Sequence, residues 1–155
     1  MTRAATLVVI EFGASWPKWL EPSRGGDLAV VAQHYEGEPK SLVTQVANRV
    51  ARLETTGWSL GATVLVVNER TDAEAFAARS VLARGLLARL AKAGGGELVL
   101  TVDDAAGARA HQTLTGLCAA IDPDAAKSGV KLSLRIGRHE PLLGTAWDGV
   151  PAPAA

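Results

Sequence analysis

The chain has 155 residues, of which 48% are hydrophobic and 21% charged, and its 16 basic side chains balance its 16 acidic ones. This length suits one domain with a core of ordinary size. Without a net charge, no large positive field holds a phosphate backbone or an anionic membrane, so we expect neither as a partner. The single cysteine, Cys118, excludes an internal disulfide, which suits a reducing compartment and predicts a cytoplasmic location.

The first two predicted elements are strands. Residues 6–12 read TLVVIEF, a β-branched run too short for a stable helix or a membrane span, and no signal-peptide pattern surrounds it, so we expect neither export nor membrane insertion. Residues 13–26 contain two prolines and three glycines and predict a loop. Residues 27–34 predict the second strand, and a loop of this length permits either an antiparallel return or a parallel crossing.

Helical periodicity and apolar runs then alternate. Apolar residues spaced by three and four follow Pro39 as far as Gly57 and predict the first helix. Residues 62–67 predict a third strand that is buried on both faces. Residues 71–74 read TDAE, a capping box with Thr71 as the N-cap of a second helix that runs to about Ala93. The glycines at 94–96 break this helix, and we expect them to form a flexible connector.

The last elements repeat this alternation. Residues 98–102 predict the fourth strand, and Asp103 or Asp104 is a suitable cap for a third helix that ends at the Asp-Pro-Asp sequence of residues 122–124. Residues 130–136 alternate and predict a fifth strand at a sheet edge. We therefore expect a single α/β domain over 1–143 in ββαβαβαβ order and a poorly ordered tail over 144–155. Its layered sheet has about five mostly parallel strands, flanked by three helices lying on both faces.

Known catalytic and cofactor motifs are absent or misplaced. Residues 57–61 read GWSLG and match the G-x-S-x-G pattern, but a helix precedes them and a strand follows, the reverse of a nucleophile elbow, so we interpret them as an ordinary turn. Neither common glycine-rich phosphate loop occurs, and the three histidines form no close pair, so we expect no cofactor and no metal. Cys118 lies on an apolar helix face and is expected to be unreactive. Three arginines of the second helix, Arg79, Arg84 and Arg89, step by five residues and predict a solvated surface.

Polar residues follow the predicted strands where each strand ends. The carboxyl ends of parallel strands meet at one edge of a sheet, where ligands bind in open α/β folds, and His34 and His139 could meet there. The candidate ligand-binding residues at this edge are His34, Glu36, Asn68, Glu69, Arg70, Asp103, Arg138 and His139. Helix capping and turn solvation are the commoner reasons for polar residues at such positions, so the ligand-binding interpretation, which rests on analogy between folds, stays the alternative.

The second half of the chain resembles a known regulatory family in the order of its helices and strands. The segment LLARLAKAGGGELVL, followed by a helix containing LTGL, is similar to the later half of sulfate-transporter and anti-sigma-factor-antagonist domains. Those domains carry an acidic residue and a phosphorylatable serine after the third strand, where residues 68–72 here read NERTD and only Thr71 could take the place of the serine. Universal stress proteins share an α/β plan, but the glycine-rich ATP loop has no counterpart after Val102. We assign the chain to neither family.

Two functions remain in competition. The leading hypothesis is a non-enzymatic regulatory or protein-binding module that self-associates or binds a partner, because catalytic motifs are missing and tryptophans at positions 16, 19 and 147 fall in predicted loop or tail segments. The alternative is a small enzyme or a protein that binds a small polar ligand at the carboxyl edge. In that case His34 or His139 is the base and Arg70 or Arg138 holds an anion.

Overall fold

The computed structural model describes residues 3–11, 14, 28–35, 39–102 and 107–135. Its elements are β1 (Arg3–Glu11), β2 (Leu28–Tyr35), α1 (Pro39–Thr55), β3 (Trp58–Val67), α2 (Ala73–Lys92), β4 (Gly96–Val102), α3 (Ala108–Ser128) and β5 (Val130–Arg135). The predicted α/β class and the ββαβαβαβ order are confirmed. No helix in these ranges is both long enough and apolar enough to cross a membrane.

The five strands form one sheet in the order β2-β1-β3-β4-β5, and every pair of neighbours is parallel. The parallel pairing of β1 with β2 settles the direction that the sequence left open. β5 is an edge strand, as predicted, and β1 is interior. In this order the chain reverses its progress across the sheet once, which creates a switch point between β1 and β3.

The three described helices pack on the same face of the sheet. One hydrophobic cluster joins alternate strand residues such as Leu7, Leu65 and Leu100 to the inner faces of all three helices. The prediction that the helices lie on both faces is therefore wrong for α1, α2 and α3. The crossovers that contain them all step in one direction along the sheet, and right-handed crossovers in one direction place their helices on one face. The step in the other direction, from β1 to β2, runs through residues 12–27, of which only Ala14 is described.

The segment that matches G-x-S-x-G is largely strand. β3 begins at Trp58 rather than residue 62, and Ser59 pairs with Ala4 in the ladder between β1 and β3. Of residues 57–61 only Gly57 belongs to the turn, with φ 89°, and the register shift between Ala5 and Thr6 lies opposite Gly61. The interpretation of residues 57–61 as a turn is therefore wrong for 58–61. The serine lies within a strand and not on the strand-to-helix turn that a nucleophile elbow requires.

The three glycines after α2 make a hydrogen-bonded turn rather than a flexible connector. The Gly95 N–H donates to the Leu90 carbonyl at 2.9 Å, which satisfies a carbonyl at the helix end. Gly94 and Gly95 have φ values of 104° and 108°, and Gly96 opens β4 with φ 150°. All three need backbone conformations that other residues rarely adopt.

α3 runs past the predicted stop at 122–124 and ends at Ser128, with Gly129 in the left-handed conformation at its C-cap. Pro123 is exposed, whereas Ile121 and Ala125 are buried on the inner face. Continuing the helix therefore keeps its apolar face on the sheet while the proline ring points outward. The N-cap is Gly107, and Asp103 and Asp104, the predicted caps, lie outside the described residues.

Gly96→Ala is expected to destabilise the fold more than Gly94→Ala. A Cβ at position 96 would meet the carbonyl oxygen of Gly61, which is backbone and cannot move aside, whereas a Cβ at position 94 has no atom within 4 Å. The control then bears only the positive-φ cost of about 1–2 kcal/mol, and the Gly96 variant adds an overpacking cost of about 1–3 kcal/mol. Urea unfolding of both variants measures the difference. Equal losses would contradict the close approach of the two glycines.

Candidate functional site

The carboxyl edge of the sheet holds four of the eight predicted site residues within the described ranges. Asn68, Glu69 and Arg70 follow the end of β3 as predicted. His34 lies inside β2, paired with Ile10, because that strand extends to Tyr35. The other four, Glu36, Asp103, Arg138 and His139, lie outside the described residues, so the meeting of His34 with His139 stays a prediction.

A buried ion pair lies at the centre of this edge. Glu11 ends β1, and Arg79 reaches it from α2 with two parallel hydrogen bonds, from Nε to Oε2 at 2.7 Å and from Nη2 to Oε1 at 2.6 Å. The two side chains are only 9% and 4% exposed. Two parallel charge-assisted hydrogen bonds between a guanidinium and a carboxylate are among the strongest interactions that two side chains make.

Asn68 and Arg70 complete the network around this pair. The Asn68 backbone N–H donates to Glu11 Oε1 at 3.0 Å, and the Asn68 side-chain oxygen accepts from Arg79 Nη2 at 3.0 Å. The Arg70 carbonyl accepts from Arg79 Nη1 at 2.8 Å. Every nitrogen of the guanidinium therefore donates, and both carboxylate oxygens accept. The network lies at the switch point between β1 and β3, and its donors and acceptors satisfy one another. Neither the Glu11 carboxylate nor the Arg79 guanidinium is therefore left to bind a ligand.

Neither partner of the ion pair is among the site residues predicted from the sequence. The prediction of a solvated surface is wrong for Arg79, although it describes Arg84 and Arg89, which make partly exposed ion pairs with Asp124 and Glu54. Glu11 carried a signal, since it interrupts the apolar run of the first strand, and a carboxylate in a buried strand needs a partner. The spacing of the arginines did not indicate which of them was that partner.

The start of α2 is capped by Asp72, not by Thr71. Asp72 has an extended backbone, and its carboxylate accepts from the Ala75 N–H at 3.3 Å. Arg70 holds the same carboxylate with two hydrogen bonds, at 2.9 Å from Nε and 2.7 Å from Nη2. The hydrogen bond from Arg70 is the main reason that the pKa of Asp72 lies below its ordinary value, and it raises the pKa of Arg70. The predicted capping box is therefore wrong: the N-cap lies one residue later, at Asp72, and its carboxylate, paired with Arg70, caps the helix in place of the Thr71 hydroxyl.

A second candidate site lies on the helix layer. A groove of about 210 Å³ opens between α1 and α2 and has mainly apolar walls. Its lining residues are Val46, Ala47, Val50, Val81, Leu82, Gly85, Leu86 and Arg89. Val81 is 57% exposed and is the one large hydrophobic side chain at the surface among those residues whose side chains the structure describes. Arg89 bonds Glu54 across the two helices at 2.5 Å, so the charge in the lining is paired.

Among the described residues, the remaining reactive groups offer no stronger site. Cys118 packs partly buried against the core, and burial, followed by the charge of Asp122, raises the pKa of its thiol, which fits the expected low reactivity. Among the described residues no group of three His, Cys, Asp or Glu side chains is placed to hold a metal ion. Trp58 packs against the core cluster, whereas the tryptophans at 16, 19 and 147 lie outside the described residues.

Comparison with known proteins adds no assignment. No family model matches the chain, and neither a curated protein nor a solved structure is significantly similar to it. The two sites described above are therefore interpreted from their own geometry.

Breaking the buried pair is expected to cost much more than breaking a surface pair. Arg79→Met leaves the Glu11 carboxylate buried without its cation, which costs about 3–5 kcal/mol of unfolding free energy. Arg84→Met, the matched control, removes a pair that is about half exposed and should cost about 1 kcal/mol or less. Glu11→Leu combined with Arg79→Met should recover part of the loss, because no uncompensated charge remains. Urea unfolding measures all four proteins, and similar losses for the two single variants would contradict the burial of the pair.

The ion pair at the start of α2 should make stability depend on pH. Because the pKa of Asp72 is lower in the folded chain than its ordinary value of 3.8, the stabilisation is present at neutral pH and is lost as the pH falls through the folded pKa. Asp72→Asn retains an N-cap acceptor and removes the charge, together with one of the two oxygens that accept from Arg70. The stability difference between the parent and this variant should shrink below about pH 4. Urea unfolding as a function of pH measures it, and a difference independent of pH would show that the charge contributes nothing.

Proposed function

We propose that this chain is a non-enzymatic cytoplasmic regulatory module that binds a protein through the groove between α1 and α2. The observation that carries the proposal is Val81, an aliphatic side chain left 57% exposed at the wall of an open apolar groove. Apolar surface in water costs about 25 cal/mol per Å² until it is covered, and exposed apolar concavities of this kind mark interaction sites.

The chemistry of the groove suits an aliphatic side chain presented by a helix. Its walls come from two helices, Val50 and Ala47 on α1 and Val81 and Leu86 on α2. Amphipathic helices bind grooves of this type by inserting side chains from one face. The paired charges of Arg89 and Glu54 stay at the rim, where they restrict the partner's orientation more than they add affinity.

The carboxyl edge gives less support to the alternative of a small-molecule site. Of the two arginines described at this edge, Arg70 is paired with Asp72 and Arg79 with Glu11, so a ligand anion would have to displace a carboxylate from either one. The helix-layer groove needs no such rearrangement.

Site-specific photo-crosslinking in intact cells tests the proposed function. A benzophenone-bearing amino acid in place of Val81 should give a covalent adduct heavier than the 16.1 kDa chain, because the label lies in the contact. The same amino acid in place of Gln112, an exposed position on α3, is the matched control and should give none. Gly85→Leu fills the groove and should lower the adduct yield at position 81 about tenfold. Equal yields at the two labelled positions would overturn the proposed function.

A further inference from the structure

We infer that the protein bound in the groove is a second copy of this chain, with the two α2 helices packed antiparallel about a two-fold axis at the level of Ala83. The inference rests on the proposed function, because it names the partner of the same groove. Two features of α2 carry it: a self-complementary shape and a self-complementary charge.

The exposed side of α2 is a narrow stripe of small residues with a charge at each end. Its members share one face because they are three or four residues apart, and all are exposed. In chain order they are Glu74, Ala77, Val81, Gly85, Ala88 and Lys92. The first turn of the helix is therefore acidic and the last turn basic, with an uncharged segment between them.

The shape of the stripe fits a copy of itself. In an antiparallel pair centred on residue 83, Val81 of one chain lies opposite Gly85 of the other. Val81 is the exposed knob, and Gly85 has no atom within 4 Å of the place where a Cβ would stand. The two-fold axis uses each knob and each gap once, which makes the contact isologous and closed.

The charges agree with the same register. Residues 74 and 92 are equally far from residue 83, so Glu74 of one chain lies opposite Lys92 of the second copy. Neither side chain takes part in an ion pair within the described part of the chain. A parallel pair in register would bring like charges together at both ends, so charge complementarity selects the antiparallel arrangement.

No contact within the described part of a single chain explains why residue 85 is a glycine. An exposed glycine in the interior of a helix costs about 1 kcal/mol relative to alanine, and here the fold leaves the space above it open. The approach of a second helix uses that space, because the separation of two packed helices is set by the side chains at their contact. Ala77 and Ala88, on either side of the central knob and gap, keep the contact close along the helix.

Sedimentation equilibrium over a concentration series tests the association. The parent chain should approach twice 16.1 kDa, and Gly85→Leu should raise the dissociation constant at least about tenfold. Leucine is a better helix former than glycine, so at a concentration where both chains are monomeric this variant should keep or raise the melting temperature, which separates loss of association from loss of folding.

Charge reversal tests the register. Glu74→Lys and Lys92→Glu should each weaken association about tenfold, and the double variant should return to within about threefold of the parent because opposite charges face each other again. Lys127→Glu is the matched control, since it reverses a basic residue in the last turn of α3 and should leave association unchanged. Failure of the double variant to recover would overturn the register.

Cysteine cross-linking tests the direction of the helices. In a Cys118→Ser background, the double variant Glu74→Cys with Lys92→Cys should form a covalent dimer on oxidation, and neither single variant should. Cross-linking by the single variants would indicate parallel helices and overturn the inference. A chain that stays monomeric up to millimolar concentration also overturns it. If position 81 still forms an adduct with a different protein, the proposed function survives, and if it forms none, both fail.

Discussion

The buried ion pair between Glu11 and Arg79 fixes the position of α2 relative to the sheet. Two charges taken out of water cost several kcal/mol each, and the pair is tolerated only where hydrogen bonds satisfy the remaining donors and acceptors. The Asn68 amide and the Arg70 carbonyl do this, so the pair holds together the ends of β1 and β3 and the inner face of α2. α1 and α3 pack on either side of α2, and all three helices share one hydrophobic cluster with the sheet, so the ion pair and this cluster together position the helix layer.

The same pair occupies the place where open parallel sheets bind ligands. At a switch point the crevice exists because the chain leaves two neighbouring strands in opposite directions. Here a carboxylate from one strand and a guanidinium from a helix meet in that crevice and neutralise each other. On the outer surface, Arg84 pairs with Asp124 and Arg89 pairs with Glu54, so the charge of each arginine is neutralised by a residue of a neighbouring helix. The groove beside Val81 is lined mainly by apolar side chains. Among the described residues, the exposed apolar surface therefore lies on the helix layer and not beside the ends of β1 and β3.

Periodicity predicted the elements well because each depends on local burial, but it did not predict contacts between distant residues. The strands were found as apolar runs and the helices as stripes, whereas Arg79 could not be separated from Arg84 because its partner, Glu11, is 68 residues away. The continuation of α3 through Pro123 depends on Ala125 reaching the core, which is a tertiary effect. Of the predicted site residues, Asn68 and Arg70 join the network, because both follow a correctly predicted strand.

The exposed surface of α2 carries two residue types that are unfavourable on the exposed face of a helix, a valine and a glycine. A helix tolerates a single exposed valine or a single exposed glycine. Residues that disagree with their local structure are nevertheless found mostly at functional sites. In α2 the two lie four residues apart beside one groove, midway between a terminal acid and a terminal base. Helix-dipole complementarity explains the charges by themselves, but it leaves the open space above Gly85 without a use. A symmetric contact explains the knob, the gap and both charges with one axis.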